Sequence, residues 1–205
     1  MTLEFLRPDA EGAVARSPME RQALDAGARF EVRDGWNLAV AYGADETLHR
    51  TVAWADMSHL SKLEVHGRHE LTPGMASRAN GAWWCPVTRD RTLVIGGTPD
   101  LVEDHVEVTT ALAALIIAGP LARELFARFC ALDLRAQATP VGGFRPGSVA
   151  RTPGSVRRED TDRFLMLFGW ALGEYLWTVV ADAAEGLGGA PVGIDALDRE
   201  IAPHA

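Results

Sequence analysis

The order of segments along this chain predicts an α+β fold. Strand-like and helix-like runs alternate without the regular βαβ spacing of a parallel sheet. Asp34-Gly35, the strongest short hairpin signal, stands between two strand-like runs. From Leu60 to Gly67, Leu60, Leu63 and Val65 oppose Ser61, Lys62, Glu64 and His66, roughly the period of two of a half-buried strand.

The elements follow in order. Residues 1–16 mix Pro8, Gly12 and isolated charges without periodicity and read as a mobile tail, leaving 17–205 as a single domain with room for two sub-lobes divided near 98–110. Ser17 suits an N-cap, Pro18 the first helical position and Glu20 a capping box, and Gly27 ends that helix. Strands are expected at 30–33 and 36–42, and Asp45 is placed to cap a short helix reaching Ala55. The strand through Lys62 follows, then an irregular stretch over 68–81. Strands are predicted at 82–87 and 92–95, and the apolar run 112–118 is read as a buried strand because Gly119-Pro120 breaks the chain after it. Leu121, Leu125, Phe126 and Phe129 then fall at helical spacing. A Pro/Gly-rich passage, 139–147, leads to strands near 148–151, 155–158 and 163–168. A long helix over 169–185 closes at Gly186, Gly188 and Gly189.

With 205 residues, 47% of them hydrophobic, the chain can bury a sizeable core without staples. Its formal net charge of −8 disfavours a nucleic-acid surface, which draws on clustered Lys and Arg. It does not exclude a local basic patch, since Arg151, Arg157 and Arg158 lie close together in sequence, but these read as a solvated strand or a paired interface. The longest apolar stretch, 111–118, falls short of the about 20 residues a spanning helix needs. The start of the sequence lacks a signal-peptide pattern. A soluble, cytoplasmic protein is therefore expected, with neither membrane nor nucleic acid as partner.

Individual side chains invite plain readings. Cys85 and Cys130 fit no CxxC pattern and read as buried thiols. The histidines at 49, 59, 66, 69, 105 and 204 show no metal-ligand spacing. Ser58-His59 reads as a polar corner, because adjacent residues seldom present both side chains to one point. Gly142-Gly143 and Gly186–Gly189 lack the context of a phosphate-cradling loop. Trp83-Trp84 puts one indole on each face of its strand, one for the core and one as a candidate interface anchor.

Taken in order, several pieces resemble the aminomethyltransferase superfamily, which includes the glycine-cleavage T-protein. They are Gly35-Trp36 with Tyr42; the corner Asp56-Met57-Ser58-His59; the junction from Ile117 to Arg123; Arg151-Thr152; Tyr175-Leu176-Trp177; and the close from Pro191 to Leu197. Arg16-Ser17-Pro18-Met19, the lead-in from Val108 to Leu112, and Leu132-Asp133-Leu134 look like one branch, the gamma subunit of heterotetrameric sarcosine oxidase. The resemblance implies an aminomethyltransferase-like fold of mixed antiparallel sheets with packed helices.

Departures from the family pattern shape the functional expectation. Folate-dependent members carry a G-G-x-x-D-D segment, and over about residues 68–97 this chain offers no acidic pair. After R-T the family continues T-G-E-x-G-(F/Y)-E, whose second acidic residue grips the pterin; here Pro153-Gly154-Ser155 follows instead and no aromatic-Glu pair appears. One-carbon transfer needs positioned carboxylates for orientation and proton handling. The K-G-C-(Y/F)-x-G-Q-E box of the tRNA-modifying branch is also missing.

The expectation is a non-catalytic gamma-type subunit of a flavin-dependent sarcosine oxidase, with no catalytic, cofactor-binding or metal-binding residue of its own. By resemblance, its partners are a large (alpha) subunit and a flavin (beta) subunit, and those subunits hold FAD, FMN, NAD and tetrahydrofolate. The alternatives are a stand-alone tetrahydrofolate-dependent aminomethyltransferase or demethylase, with Asp56, Glu64 or Glu159 taking over the carboxylate roles, and a homo-oligomeric binding protein.

Overall fold

The computed structural model describes residues 12–43, 51–67 and 70–201. In chain order its elements are β1 (Ala15–Arg16), α1 (Glu20–Asp25), β2 (Arg29–Arg33), β3 (Trp36–Ala41), β4 (Ala53–Asp56), β5 (Lys62–His66), β6 (Ser77–Ala79), β7 (Ala82–Pro86), β8 (Arg91–Ile95), β9 (Val106–Glu107) and β10 (Leu112–Ala118). They continue with α2 (Ala122–Ala127), β11 (Phe144–Val149), β12 (Thr152–Asp160), β13 (Arg163–Gly169), α3 (Gly173–Glu185), β14 (Ala190–Pro191) and α4 (Ile194–Ile201), with 3₁₀ turns at Pro99–Leu101 and Trp170–Leu172.

The fold is α+β, with mixed sheets. Its centre is a six-stranded sheet ordered β11-β12-β13-β10-β4-β14, antiparallel except where β14 joins β4 in parallel. β10 lies inside it and is apolar on both faces, which explains its unbroken hydrophobic run. Ala113, Leu115 and Ile117 enter one core with Leu125 and Phe126 of α2 and Leu176, Trp177 and Val180 of α3. Ala114, Ile116 and Ala118 enter a second core with Cys85, Leu93 and Ile95 of a five-stranded sheet and with Ala196 and Leu197 of α4. That second sheet is ordered β6-β7-β8-β5-β9. A third, three-stranded sheet, β1-β3-β2, packs Leu38 and Val40 against Ile194.

The hairpin signal is realised: Asp34 and Gly35 take φ values of 49° and 77° and connect Arg33 to its partner Trp36. The buried strand, the helix after Gly119-Pro120 and the strand through Lys62 also form where expected.

Other expectations are corrected. Ala15–Arg16, assigned to a mobile tail, form a strand parallel to Trp36–Asn37, while residues 1–11 lie outside the described residues. The first helix starts at Glu20, because Ser17 is engaged elsewhere: its hydroxyl donates to Asp56 while accepting from the Met19 N–H. Glu20 pairs with Arg16 at 2.6 Å instead of closing a capping box. Of the helix expected over 45–55, Ala53–Ala55 are strand, since pairing with β10 outweighs the local helical spacing; its first half lies outside the described residues. Ser77–Ala79, expected to be irregular, pair with β7. The Pro/Gly passage yields to β11 from Phe144 onward; Pro146 is accommodated because β11 is an edge strand. Gly169 closes β13, and the long helix begins only at Gly173.

One glycine is fixed by close approach. A methyl group on Gly193 would run into the backbone of Val40 and Ala41, where α4 crosses β3. Gly193→Ala is therefore expected to destabilise the fold by about 1–3 kcal/mol, read as a lower urea midpoint at unchanged slope.

Candidate functional site

The corner Asp56–Lys62 carries the chain from β4 in the central sheet to β5 in the second sheet, and it encloses a polar cluster. Asp56 accepts hydrogen bonds from the Ser17 hydroxyl and, at 2.9 Å, from the Ser58 N–H. The buried Ser58 hydroxyl accepts from the Ala114 N–H at 3.2 Å. Lys62, the sole lysine, is 0% exposed. Its ammonium donates to the carbonyls of Leu60 at 2.7 Å, Ser58 at 2.9 Å and Thr109 at 3.3 Å. The Thr109 hydroxyl also accepts the Lys62 N–H at 3.0 Å.

Electrostatics follow from this enclosure. Part of Asp56 reaches the surface, but burial of its carboxyl raises its pKa above the ordinary carboxylate range, against the bonds from Ser17 and Ser58 and the charge of Lys62. Burial pushes the Lys62 ammonium down to about 8, with Asp56 partly opposing. Burial, with the Asp56 charge adding to it, raises the Tyr42 phenol. These groups hold one another and two chain crossings. Ser58 is a corner residue, as its spacing implied, and its hydroxyl is occupied by backbone.

A second cluster joins β12 and β13 to β6 and β7. The Arg157 guanidinium carbon sits 4.4 Å from the centre of the Trp83 ring, and that of Arg78 lies 5.7 Å from the same ring. Arg157 donates to one oxygen of Glu159, and the Arg163 Nε donates to the other at 2.9 Å. Arg158, on the opposite face of β12, donates to the carbonyls of Thr161 at 2.5 Å, Thr139 at 2.9 Å and Asp160 at 3.1 Å. Arg157 and Arg158 are thus buried and face apart, while Arg151 is exposed at the β11–β12 turn with φ of 64°. The three do not share one surface: of the two readings offered, Arg157 is paired rather than solvated, with Glu159 as its partner. Arginine in mid-strand reads as solvated until the strand is known to lie between two others and under a second sheet.

The three carboxylates considered as replacements are not shared in one site. Asp56 serves Ser17 and Ser58, and Glu159 serves Arg157 and Arg163. Glu64 meets His66 at 2.8 Å and Arg91 at 3.9 Å beside a cleft of about 390 Å³ between the two large sheets. Both tryptophans of β7 are half-buried: Trp83 packs toward the core between the large sheets and Trp84 toward Leu63 and Val65, so neither is a freely exposed anchor. Cys85 is buried, its thiol pushed up to about 12 by burial. Cys130 is only half-buried, beside a cavity of about 540 Å³ with Tyr175 and Arg151. Among the described residues no group of three or more His, Cys, Asp or Glu could hold a metal, and no helix is long and apolar enough to cross a membrane.

No family profile and no curated protein matches the sequence. Solved structures do match the fold. A chain of the heterotetrameric sarcosine oxidase from Corynebacterium sp. U-96, in complex with pyrrole 2-carboxylate, superposes with a TM-score of 0.68 at 15% identity, over 87% of this chain and 99% of that one. Aminomethyltransferase T of the glycine cleavage system from Bartonella henselae superposes with a TM-score of 0.72 at 13% identity, over 90% of this chain. The match spans 61% of the aminomethyltransferase's length. The chain has the fold shared by these two proteins.

Two predictions follow from the buried lysine. Acylating reagents are expected to leave Lys62 unmodified in the native protein and to label it in denaturant, as read by peptide mass. Lys62 also makes stability depend on pH. The folded ammonium loses its proton near pH 8, while an unfolded lysine keeps it to about 10.4. Between these values the unfolded state binds more protons, so stability rises with pH. Relative to Lys62→Met, the wild type is expected to gain up to about 1.4 kcal/mol per pH unit across that window in urea titrations; a flat difference would show an ordinary lysine pKa.

Proposed function

We propose that this chain is a non-catalytic gamma-type subunit of a heterotetrameric, flavin-dependent sarcosine oxidase. The observation that carries the reading is one of extent: the fold accounts for 99% of a whole chain of such an enzyme, but only 61% of the aminomethyltransferase. In this reading the assembly oxidatively demethylates sarcosine to glycine. The alpha and beta subunits hold FAD, FMN, NAD and tetrahydrofolate, and this chain stabilises the folate-handling large subunit.

The side chains support a structural role. Asp56 and Glu159, which a stand-alone folate enzyme would need free, are occupied by Ser17 and Ser58 and by Arg157 and Arg163. A fold can persist after its site has been rebuilt for packing, since architecture and chemistry are separable.

Co-expression with the alpha and beta subunits tests the proposal. A stoichiometric yellow complex by size-exclusion and light scattering is expected, oxidising sarcosine faster or surviving longer with this chain than without it. A chain that co-purifies with neither subunit, yet binds reduced folate and loses that binding on Asp56→Ala, would overturn the proposal in favour of a stand-alone enzyme.

A further inference from the structure

Among the described residues three cations are buried, Lys62, Arg157 and Arg158, and two of them show how the fold treats a cation whose role is to hold structure. Lys62 spends its ammonium on three carbonyls, and Arg158 spends Nε, Nη1 and Nη2 on three more. Arg157 departs from this pattern. It is 3% exposed, yet its Nε and Nη1 have no hydrogen-bond partner, and its one bond, from Nη2, goes to Glu159. The Nη1 of Arg163, on the other side of the same carboxylate, is also buried without a partner. Leaving a buried charged donor unsatisfied costs more than the net worth of an ordinary hydrogen bond.

Charge is out of balance at the same place. Arg157 and Arg78 both stand over the Trp83 ring, and Arg163 shares Glu159 with Arg157. Three guanidiniums against one carboxylate leave two positive charges uncompensated. The charges of Arg163 and Arg78 both bear on Arg157, adding to burial. Arg158 does not relieve this, because it lies on the other face of the strand among carbonyls and against Phe164. The cluster opens outward: Arg163 and Glu159 keep 15% and 20% side-chain exposure, and Arg78 is exposed. Planar guanidinium donors match oxyanions in geometry as well as charge.

We propose that Arg157, Arg163 and Arg78 form a binding site for a doubly charged oxyanion of phosphate type, either the free ion or a phosphate ester. The anion enters over the Glu159–Arg163 rim and takes up the unpartnered donors of Arg157 and Arg163, with Trp83 as the wall behind them. Glu159 is the resident carboxylate that keeps the two arginines in place while the site is empty, and it competes with the incoming anion. This proposal does not depend on the subunit reading.

The full chain, titrated calorimetrically with inorganic phosphate and with a nucleoside monophosphate at constant ionic strength, tests it. Saturable binding at about millimolar affinity or tighter is expected, with acetate and chloride ineffective. Tighter binding of the monophosphate would identify an ester as the ligand, and equal binding the free ion. Arg163→Gln, at the rim, is expected to weaken binding about tenfold. Glu159→Gln, which removes the competing charge, is expected to tighten binding. Absence of saturable phosphate binding, or binding unaltered by both substitutions, would overturn the proposal and leave Arg157 a packing residue of Trp83.

Discussion

The two-sided burial of β10 is the constraint on which the rest of the structure depends. A strand that gives Ala113, Leu115 and Ile117 to one core and Ala114, Ile116 and Ala118 to another cannot tolerate solvent on either face. Helices α2 and α3 cover one side, and the second sheet with α4 covers the other. Register is fixed at the same time, because a slip of one residue would exchange the two sets, small for large, between cores of different shape. The β4 and β13 ladders inherit that register residue by residue, from Ala118 paired with both Ala53 and Arg163 to Leu115 paired with Asp56 and Met166.

Stacking a second sheet on the first forces the chain to cross between them, and the Lys62 cluster sits at two of those crossings. The outward crossing runs from β4 through Ser58 and Leu60 into β5, and the return runs from β9 through Thr109 into β10. Carbonyls on both strands of traffic converge on one ammonium. Crossings have no ladder of their own to satisfy backbone acceptors, so a buried donor with three protons is a good solution there. Arginine would present a rigid plane where these carbonyls surround a point. That accounts for lysine rather than arginine at this position. It also accounts for the motif's position: Asp56 and Ser58 shape the corner so that Lys62 can reach back into it.

Much of the fold is legible in the sequence, for reasons visible in particular residues. Asp34-Gly35 announced a turn because both positions need positive φ, and the run from Leu112 announced a buried strand because Gly119-Pro120 stopped it. What could not be read was decided by long-range pairing. Ala53–Asp56 became strand because β10 required a second neighbour, and Ala15–Arg16 became strand because β3 had an open edge. The alternation through β5 marks Leu63 and Val65 as one buried face, but the second sheet also turns the opposite, polar face toward the first, and Lys62 is enclosed there. The candidate site was legible at Asp56 and Ser58, whose corner spacing carried the resemblance. It was not legible at Arg157, since a charged residue in a strand looks the same in sequence whether its side chain faces water or an indole.

Arg157 and Arg158 put the distinction between structural and functional burial most directly. They are neighbours on one strand, nearly equally buried, each over an aromatic ring, and they differ only in what surrounds them. Around Arg158 the chain supplies a carbonyl for each guanidinium nitrogen, so removing it would strand acceptors already fixed in place. Around Arg157 the chain supplies further positive charge, from Arg163 and Arg78, and one carboxylate divided between two claimants. Selection for stability alone favours the first environment, or an apolar residue of similar volume, over the second. A fold that solves the buried-cation problem twice with backbone carbonyls, and leaves it unsolved once beside its second sheet, has kept the third place open for a charge from outside the chain.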